Sequence, residues 1–529
     1  MDTIVVIGAG TMGAGIAFVA ARAGFKVELV EPDPPTRERA LARLRADVQR
    51  VDTPDALKRI EFRASIAEIS AGTIAIEAAP ERIGLKREIF AELSRKLGSD
   101  AILASNTSSL SVAEIATAAQ NPQRVIGLHF FNPPEAMKLV EIVHLPQTSD
   151  EVLERAEQFV QACGRDAVLV ADTPGFVVNR VARPFYLQSL RALGREIASP
   201  DDLDMLARGI GFRMGPFELM DLIGLDINLA TTESVYERTG AERLAPVPMQ
   251  REMVAANRLG RKTKQGFYDY ASGGSPSRPE TESPLAATGD VNADEVITIL
   301  GFDGIAGELS EMLPQHYAHV GTIENDDLLD ELSMETTILF DVGDGVSDRC
   351  DIIRQLDTLL PPDSVIFADA YASDLQAAAK RMRHPERLIG YGILSSIAGQ
   401  HVVEVVDADY TGDDALSLAQ EFFESLGKRV VLVADAPGLY LGRTVGAIIN
   451  EAIIAVQENV ASPDDIDLAM RLGTNYPIGP IAWGREIGGA RVSRILNRVA
   501  AFEGAQFAPH RALWVLDAHD EEAPAQDDK

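Results

Sequence analysis

Cysteine is nearly absent. Cys163 and Cys350 are the only two in 529 residues, too few for a disulfide framework or a multi-thiolate metal site, so a reducing compartment, the cytoplasm, is expected. Long hydrophobic runs are missing too: no stretch approaches the ~18 apolar residues that span a bilayer. The opening Met1-Asp2-Thr3 carries no basic segment of a secretion signal and leads straight into a strand-like run. Positive charge is scarce, 49 Lys and Arg against 80 Asp and Glu, a net of −31. Such a field repels nucleic acid and anionic membranes, so neither is an expected partner, and a polyanionic ligand needs a local basic patch. The remaining composition, 46% hydrophobic and 24% charged, is that of a globular protein. At roughly 150 residues per domain the chain holds three or four.

The chain repeats itself. Val170-Ala-Asp-Thr-Pro-Gly175 returns as Val433-Ala-Asp-Ala-Pro-Gly438, Ala198-Ser-Pro-Asp-Asp202 as Ala461-Ser-Pro-Asp-Asp465, and Arg124-Val-Ile-Gly127 as Arg387-Leu-Ile-Gly390, all at an offset of 263. Agreement of three pairs on one register means a tandem duplication. Residues 271–293, rich in Gly, Pro, Ser and Thr, read as the linker between copies, and 517–529 as an acidic tail. Within the first copy, short apolar runs at 4–7, 26–30, 73–76, 101–104, 124–130, 138–143 and 167–170 alternate with helical stretches, the pattern of a wound, mainly parallel sheet. Residues 175–260 read as consecutive helices. The expected domains are 1–172 with a helical arm at 36–68, then 173–270, 294–436 and 437–516.

Ile4-Val-Val-Ile7 runs directly into Gly8-Ala-Gly10-Thr-Met-Gly13 and a helix over 14–23. In such a fingerprint the first glycine makes the tight turn, the second lets a diphosphate approach the backbone, and the third lets helix pack on strand. Gly8, Gly10, Thr11, Met12 and Gly13 therefore read as a dinucleotide site. Glu31, 21 residues after Gly10, is placed to accept from ribose hydroxyls and repels a 2′-phosphate, which favours NAD over NADP. The arm at 37–63 places Leu41, Leu44, Val48 and Val51 on one apolar helical face. It carries eight basic residues (Arg37, Arg39, Arg43, Arg45, Arg50, Lys58, Arg59, Arg63) against five acids, a local excess that an anionic ligand requires.

RVIGLHFF at 124–131 and Lys138-Leu-Val-Glu-Ile-Val143 read as two strands about a breaker, Asn132-Pro-Pro-Glu-Ala136. If the chain reverses near Glu135, His129 and Glu141 are equidistant from the turn and face each other. A carboxylate beside an imidazole orients it and balances the charge of a proton taken up, which suits a general base.

These stretches, with Ala104-Ser-Asn-Thr-Ser-Ser-Leu110, Asp172-Thr-Pro-Gly-Phe-Val-Val-Asn179 and Gly260-Arg-Lys-Thr-Lys-Gln-Gly-Phe-Tyr268, resemble the 3-hydroxyacyl-CoA dehydrogenases in order and spacing. The resemblance covers the whole first copy. It implies a Rossmann-type dinucleotide-binding domain followed by an all-helical domain that supports dimerisation. It further implies NAD-dependent oxidation of an L-3-hydroxyacyl-CoA to the 3-oxoacyl-CoA, as in fatty-acid β-oxidation. By resemblance His129 is the base, Glu141 its partner, and Ser108 and Asn179 bind the substrate oxygens, while Glu81, Lys86, Asn132 and Lys262 are further cofactor contacts. One departure concerns CoA: the family uses a serine and a lysine in the arm, but no serine lies between Thr36 and Arg63, and Lys58 is the only lysine there. Val181-Ala-Arg-Pro-Phe-Tyr186 resembles relatives that act on 3-hydroxyadipyl-CoA, where Arg183 would meet the distal carboxylate; 3-hydroxybutyryl-CoA is the other candidate. Competing readings are a dehydrogenase of a free hydroxy acid and a non-catalytic NAD-binding structural protein.

The second copy has lost the decisive residues. Asp303 stands where Gly10 does, repelling a diphosphate, and Gly392 and Gly442 replace His129 and Asn179, while Glu404 remains opposite Glu141. The offset of 293 at Gly8/Gly301 and Glu31/Glu324 against 263 later means that about thirty residues, the basic arm, are gone. The second copy thus reads as catalytically dead, its helical half a scaffold. The single chain then reads as a pseudo-dimer, which can itself pair again as a homodimer.

Overall fold

Short β-branched runs separated by helices build one wound sheet in each repeat. The computed structural model describes residues 3–271, 295–301, 304–343 and 349–517; Asp303, the linker from 272 and the tail from 518 lie outside them. The first sheet comprises β1 (Thr3–Ile7), β2 (Lys26–Val30), β3 (Ile60–Arg63), β4 (Ile74–Glu77), β5 (Ile102–Ser105), β6 (Val125–Phe130), β7 (Leu139–His144) and β8 (Asp166–Ala171). Their order is β3-β2-β1-β4-β5-β6-β7-β8, parallel throughout except for the β6–β7 pair. The second comprises β9 (Val296–Leu300), β10 (His319–Ile323), β11 (Ile338–Asp341), β12 (Val365–Asp369), β13 (Leu388–Gly392), β14 (Val402–Asp407) and β15 (Arg429–Ala434). Its order is β10-β9-β11-β12-β13-β14-β15, again with one antiparallel pair, β13–β14. Central strands such as β4, β5 and β6 are buried at every residue, as sheets covered on both faces require. The architecture is a Rossmann-type domain and a helical domain, present twice.

β3 is a strand that the apolar runs do not reveal. It is the edge of the sheet, four residues long, and its Glu61 and Arg63 dilute the signal of Ile60 and Phe62. The expected apolar face of the arm also needs correction. In the helix Pro34–Arg50 the buried residues are Ala40, Leu44 and Asp47, and Val51 is exposed because the helix has already ended there. The arm helices Pro34–Arg50 and Pro54–Lys58, together with β3, have no counterpart among the described residues of the second repeat, where a short turn, Asp326–Glu331, stands between β10 and β11.

The repeated Ala-Ser-Pro-Asp-Asp has a local cause. Ser199 and Ser462 each cap a helix, accepting from the N–H of Asp202 and Asp465 at 3.2 and 3.1 Å, with proline at the first helical position and acids in the first turn.

The residues group into two compact units that do not follow chain order: up to 181 with 237–239 and 455–475, and 182–236 with 240–454 and from 476 onward. In the first unit the helix Pro463–Thr474, from the second repeat, packs on β7, β8 and the short helix Val178–Val181. There the Ala171 N–H donates to the Val460 carbonyl at 2.7 Å. In the second unit the relation is reversed. The helix Pro200–Gly209, from the first repeat, packs on β14, and the His401 N–H donates to the Gly209 carbonyl at 3.1 Å. Each unit is therefore built from both repeats. No helix among the described residues is long and apolar enough to cross a membrane.

Candidate active site

Apart from Lys262 and Arg183, every candidate residue lies in the first unit. β1 ends in a turn that only glycine can make. Gly8 has φ +95°, and a Cβ there would stand 2.8 Å from the Ala78 carbonyl oxygen; one on Gly13 would stand 1.9 Å from that of Gly8. A Cβ on Gly10 would meet nothing within 4 Å. This open space lies at the N-terminus of the helix Thr11–Arg22, where backbone N–H groups and the helix dipole favour an anion. Thr11 is exposed there, and Met12 packs on the core beneath. Glu31 follows β2, its carboxylate accepting from the N–H groups of Ala9 at 2.9 Å and Asp33 at 3.0 Å. An open glycine cradle with an acid beside it fits a dinucleotide.

Behind the cradle, Lys86 is 1% exposed and Glu77 fully buried, with Nζ to the two carboxylate oxygens at 2.7 and 2.9 Å. Ser105 Oγ donates to Glu77 at 2.7 Å. Lys86 also reaches Glu81 at 3.1 Å. Glu81 in turn accepts from the Thr107 hydroxyl, from the Ser109 hydroxyl at 2.9 Å and from the Ser108 N–H at 3.3 Å. Burial pushes the Glu81 carboxyl up, but the Lys86 ammonium and these hydroxyls outweigh it and hold the group below its ordinary range. The loop carrying Ser108 is thereby fastened to Glu81, and the Ser108 side chain is exposed.

The antiparallel register of β6 and β7 sets His129 opposite Glu141. His129 Nδ1 lies 2.6 Å from a Glu141 carboxylate oxygen; the other oxygen accepts from the N–H groups of Val177 and Val178 at 3.1 and 3.0 Å. Glu141 is fully buried and His129 is 6% exposed. The imidazole is flanked by the rings of Phe131 and Phe176, with centroids at 4.6 and 5.7 Å. With Nδ1 facing the carboxylate, Nε2 is the ring atom left for a substrate proton. Asn179 follows directly in the helix Val178–Val181 and is half-buried.

Two contributors are not apparent from motif reading. Asn106 Oδ1 accepts from the Phe130 N–H at 2.8 Å and so pins β6 beside His129. Phe176 holds φ +50° at the turn that delivers the two amides to Glu141; its place in the Thr-Pro-Gly-Phe turn is the only sequence signal. Asn132 is exposed in the loop after β6. Lys262, in the second unit, is ion-paired to Asp226.

The arm's positive charge is largely committed. Arg43 and Arg50 converge on Glu135, in the loop after β6, at 3.3 and 3.6 Å. Arg50 also pairs with Asp47, Lys58 with Asp55 and Arg63 with Glu28, at 3.0, 2.8 and 2.6 Å. These arginines anchor the arm, and Arg45 is left exposed. Among the described residues no group of His, Cys, Asp and Glu is arranged to hold a metal ion.

The sheet of the second repeat, in the second unit, shows the same frame differently filled. Gly392 faces Glu404 across β13 and β14 as His129 faces Glu141. Cβ atoms on Gly392 and Gly442 would stand 2.7 and 2.9 Å from the ring of Tyr371. The tyrosine thus fills the space of both missing side chains, and its hydroxyl donates to Glu404 at 2.6 Å. Burial pushes the Glu404 carboxyl up to about 7, against the hydrogen bonds it accepts from Tyr371, Tyr440 and Leu441. A cavity of about 590 Å³ persists beside β9 and β10. Across it Arg349 binds Asp326 at 2.6 and 2.7 Å and Asp341 at 2.7 Å, tying the loops after β10 and β11 together.

Comparison with known proteins agrees on both halves of each repeat. The 3-hydroxyacyl-CoA dehydrogenase NAD-binding domain matches residues 3–173 and 318–436, and the C-terminal domain of that family matches 175–270 and 438–523. The chain is 36% identical over 517 residues to a 3-hydroxyadipyl-CoA dehydrogenase of Escherichia coli, covering 96% of this chain and 95% of that protein. It is 36% identical over 284 residues to the human mitochondrial hydroxyacyl-coenzyme A dehydrogenase, covering 50% of this chain and 90% of that one. Among solved structures, that of a 3-hydroxybutyryl-CoA dehydrogenase from Escherichia coli superposes with a TM-score of 0.77 at 34% identity, covering 97% of each chain.

Proposed function

Starting from a chain that belongs to the 3-hydroxyacyl-CoA dehydrogenase family and is an NAD-dependent enzyme of that kind, we propose that turnover takes place in the first repeat alone. His129 is the general base, Glu141 its positioning partner, and the substrate a short-chain L-3-hydroxyacyl-CoA. The observation that carries this reading is the 2.6 Å contact of His129 Nδ1 with a fully buried Glu141. Nε2 of His129 takes the proton of the 3-hydroxyl, and Glu141 balances the positive charge that develops on the ring. Ser108 and Asn179 hold the substrate oxygens, and preorganised donors of this kind are worth kilocalories where water is excluded. Phe131 and Phe176 supply that exclusion. The bound nicotinamide supplies the hydride acceptor. Gly8, Gly10, Thr11, Met12, Gly13 and Glu31 hold the dinucleotide, assisted by Glu81, Lys86, Asn132 and Lys262. The second repeat does no chemistry, because Tyr371 occupies the place of a base.

The proposed boundaries are a nucleotide-binding domain to 172 with its arm at 36–68, a helical domain to 270, a linker at 271–293, a degenerate nucleotide domain at 294–436, a second helical domain to 516 and an acidic tail at 517–529. The proposed location is the cytoplasm, in keeping with two buried cysteines that remain thiols.

For acyl-chain choice the sequence offers Arg183. Arg183 is 4% exposed, stacked over Tyr186 at 4.8 Å and donating to the Asn228 carbonyl and the Thr232 hydroxyl at 3.4 and 3.2 Å. A guanidinium so engaged is a poor receptor for a distal carboxylate, which favours 3-hydroxybutyryl-CoA. NADH formation should be followed against 3-hydroxybutyryl-CoA, 3-hydroxyadipyl-CoA, longer 3-hydroxyacyl-CoAs and the free acids. The expected result is the highest kcat/KM with the four-carbon thioester and no turnover of free acids. Preference for a free acid would sink the CoA reading, and preference for the adipyl thioester would return Arg183 to the site.

The exchange of helices supports a pseudo-dimer within one chain. A chain ended at residue 270 lacks the helix that covers β7 and β8, so size-exclusion with light scattering should find it self-associated or aggregated. A soluble monomer of full activity contradicts the pseudo-dimer.

A further inference from the structure

We infer that the second repeat, which carries no base of its own, is a positioning element for the first: its segment 455–475 holds in place the strand and turn that carry Glu141 and Asn179. The inference rests on the proposed roles of those two residues and adds a reason for keeping a second, inactive copy. Glu141 can orient His129 only while its own carboxylate is fixed, and one oxygen is held by the Val177 and Val178 N–H groups at 3.1 and 3.0 Å. Those amides lead into the helix Val178–Val181, which packs against the helix Pro463–Thr474 of the second repeat.

Three contacts from that segment converge here. Gly473 lies so close that a Cβ on it would stand 2.9 Å from both Leu139 Cδ2 and Val178 Cγ2. Leu139 begins the strand that carries Glu141, and Val178 is one of the two amide donors. Val460 accepts from the Ala171 N–H at 2.7 Å at the end of β8. Glu458 accepts from Arg180, 2% exposed and next to Asn179, at 2.6 Å. Two of the three grip the stretches that carry Glu141 and Asn179, and the third grips β8, which pairs with the strand of Glu141.

The fold supplies its own control. Gly209 makes the reciprocal contact in the second unit, where a Cβ would stand 2.3 Å from Val402 Cγ2, two residues before Glu404. That contact is at least as tight, yet the glutamate it supports meets Tyr371 and no imidazole. A contact that merely stabilises should matter equally on both sides; one that positions catalytic groups should matter on one.

The test is Gly473→Ala against Gly209→Ala in the full chain. Relieving a 2.9 Å approach to ordinary van der Waals distance moves the neighbours by roughly 0.5–1 Å. Misplacement on that scale costs up to about a hundredfold in rate. Gly473→Ala should therefore lower kcat by about ten- to a hundredfold, leave KM for thioester and NAD unchanged, and raise the isotope effect with 3-deuterated substrate. Gly209→Ala should lower the melting temperature at least as much and leave kcat unchanged. Glu458→Gln, at a half-exposed side chain, is the variant that folds if Gly473→Ala does not, and the same split of kcat from KM is expected, smaller. Equal kcat in the two glycine variants overturns the inference, as does wild-type kcat in Glu458→Gln. Failure of the underlying reading shows separately, as an active His129→Gln enzyme.

Discussion

Replacing His129 by glutamine is expected to lower kcat by about a thousandfold, within the 10²–10⁴ range of a positioned acid–base group, with little change in KM for either substrate. The amide is close to the imidazole in size and can still donate to Glu141, so the fully buried carboxylate keeps a partner and the fold survives. What glutamine cannot do is take up a proton. Loss of kcat without loss of binding is the signature of an interaction needed only in the transition state. Glu141→Gln should fall between wild type and His129→Gln, because the neutral amide still meets His129 and the two backbone donors but no longer balances the charge on the ring. Steady-state rates of NADH formation, together with NAD titration by fluorescence, decide the matter. A His129→Gln enzyme with more than about a tenth of the wild-type kcat removes the general base from the account.

Lys86→Met carries the largest expected effect on stability. The side chain is 1% exposed and its ammonium lies against Glu77, itself fully buried, at 2.7 and 2.9 Å. Removing one partner of such a pair leaves an uncompensated charge in the interior, at a cost of about 3–5 kcal/mol. Folded domains are stable by only about 5–15 kcal/mol, so the first unit should unfold at markedly lower urea or temperature. Adding Glu77→Gln should recover most of the loss, since the amide oxygen can still accept from the Ala79 N–H, now 2.7 Å from the carboxylate, and the charge is gone. Unfolding followed by fluorescence and circular dichroism tests both variants. Lys86→Met within about 1 kcal/mol of wild type, or no recovery in the double variant, contradicts the buried-pair argument. The pair also links the cradle to the Ser108 loop through Glu81, so a weaker affinity for NAD should accompany the stability loss.

Much of the candidate site can be read without coordinates because its information is local. Gly8, Gly10 and Gly13 are dictated by steric demands within one turn. His129 and Glu141 follow from equal spacing about a chain reversal, since a two-residue period leaves few registers. Gly392 and Gly442 reveal the loss of the base by simple alignment of the repeats. The charge count of the arm misleads for a complementary reason: it counts arginines without their partners, and Arg43 and Arg50 are drawn to Glu135, more than eighty residues away in the chain. Tyr371 is equally invisible, because the two repeats slip in register at that point and nothing local says that its ring lies over Gly392 and Gly442.

The linear chain therefore decides the duplication, the glycine fingerprint, the pairing of His129 with Glu141 and the glycine that replaces this histidine in the second copy, all of which depend on residue type and short-range spacing. Tertiary structure alone decides which surface each helix covers. An apolar stripe records that a face is buried, whereas its partner is set by the closest fit of glycine-relieved backbones, and that fit pairs the helix Pro463–Thr474 with the first repeat's β7 and the helix Pro200–Gly209 with the second repeat's β14.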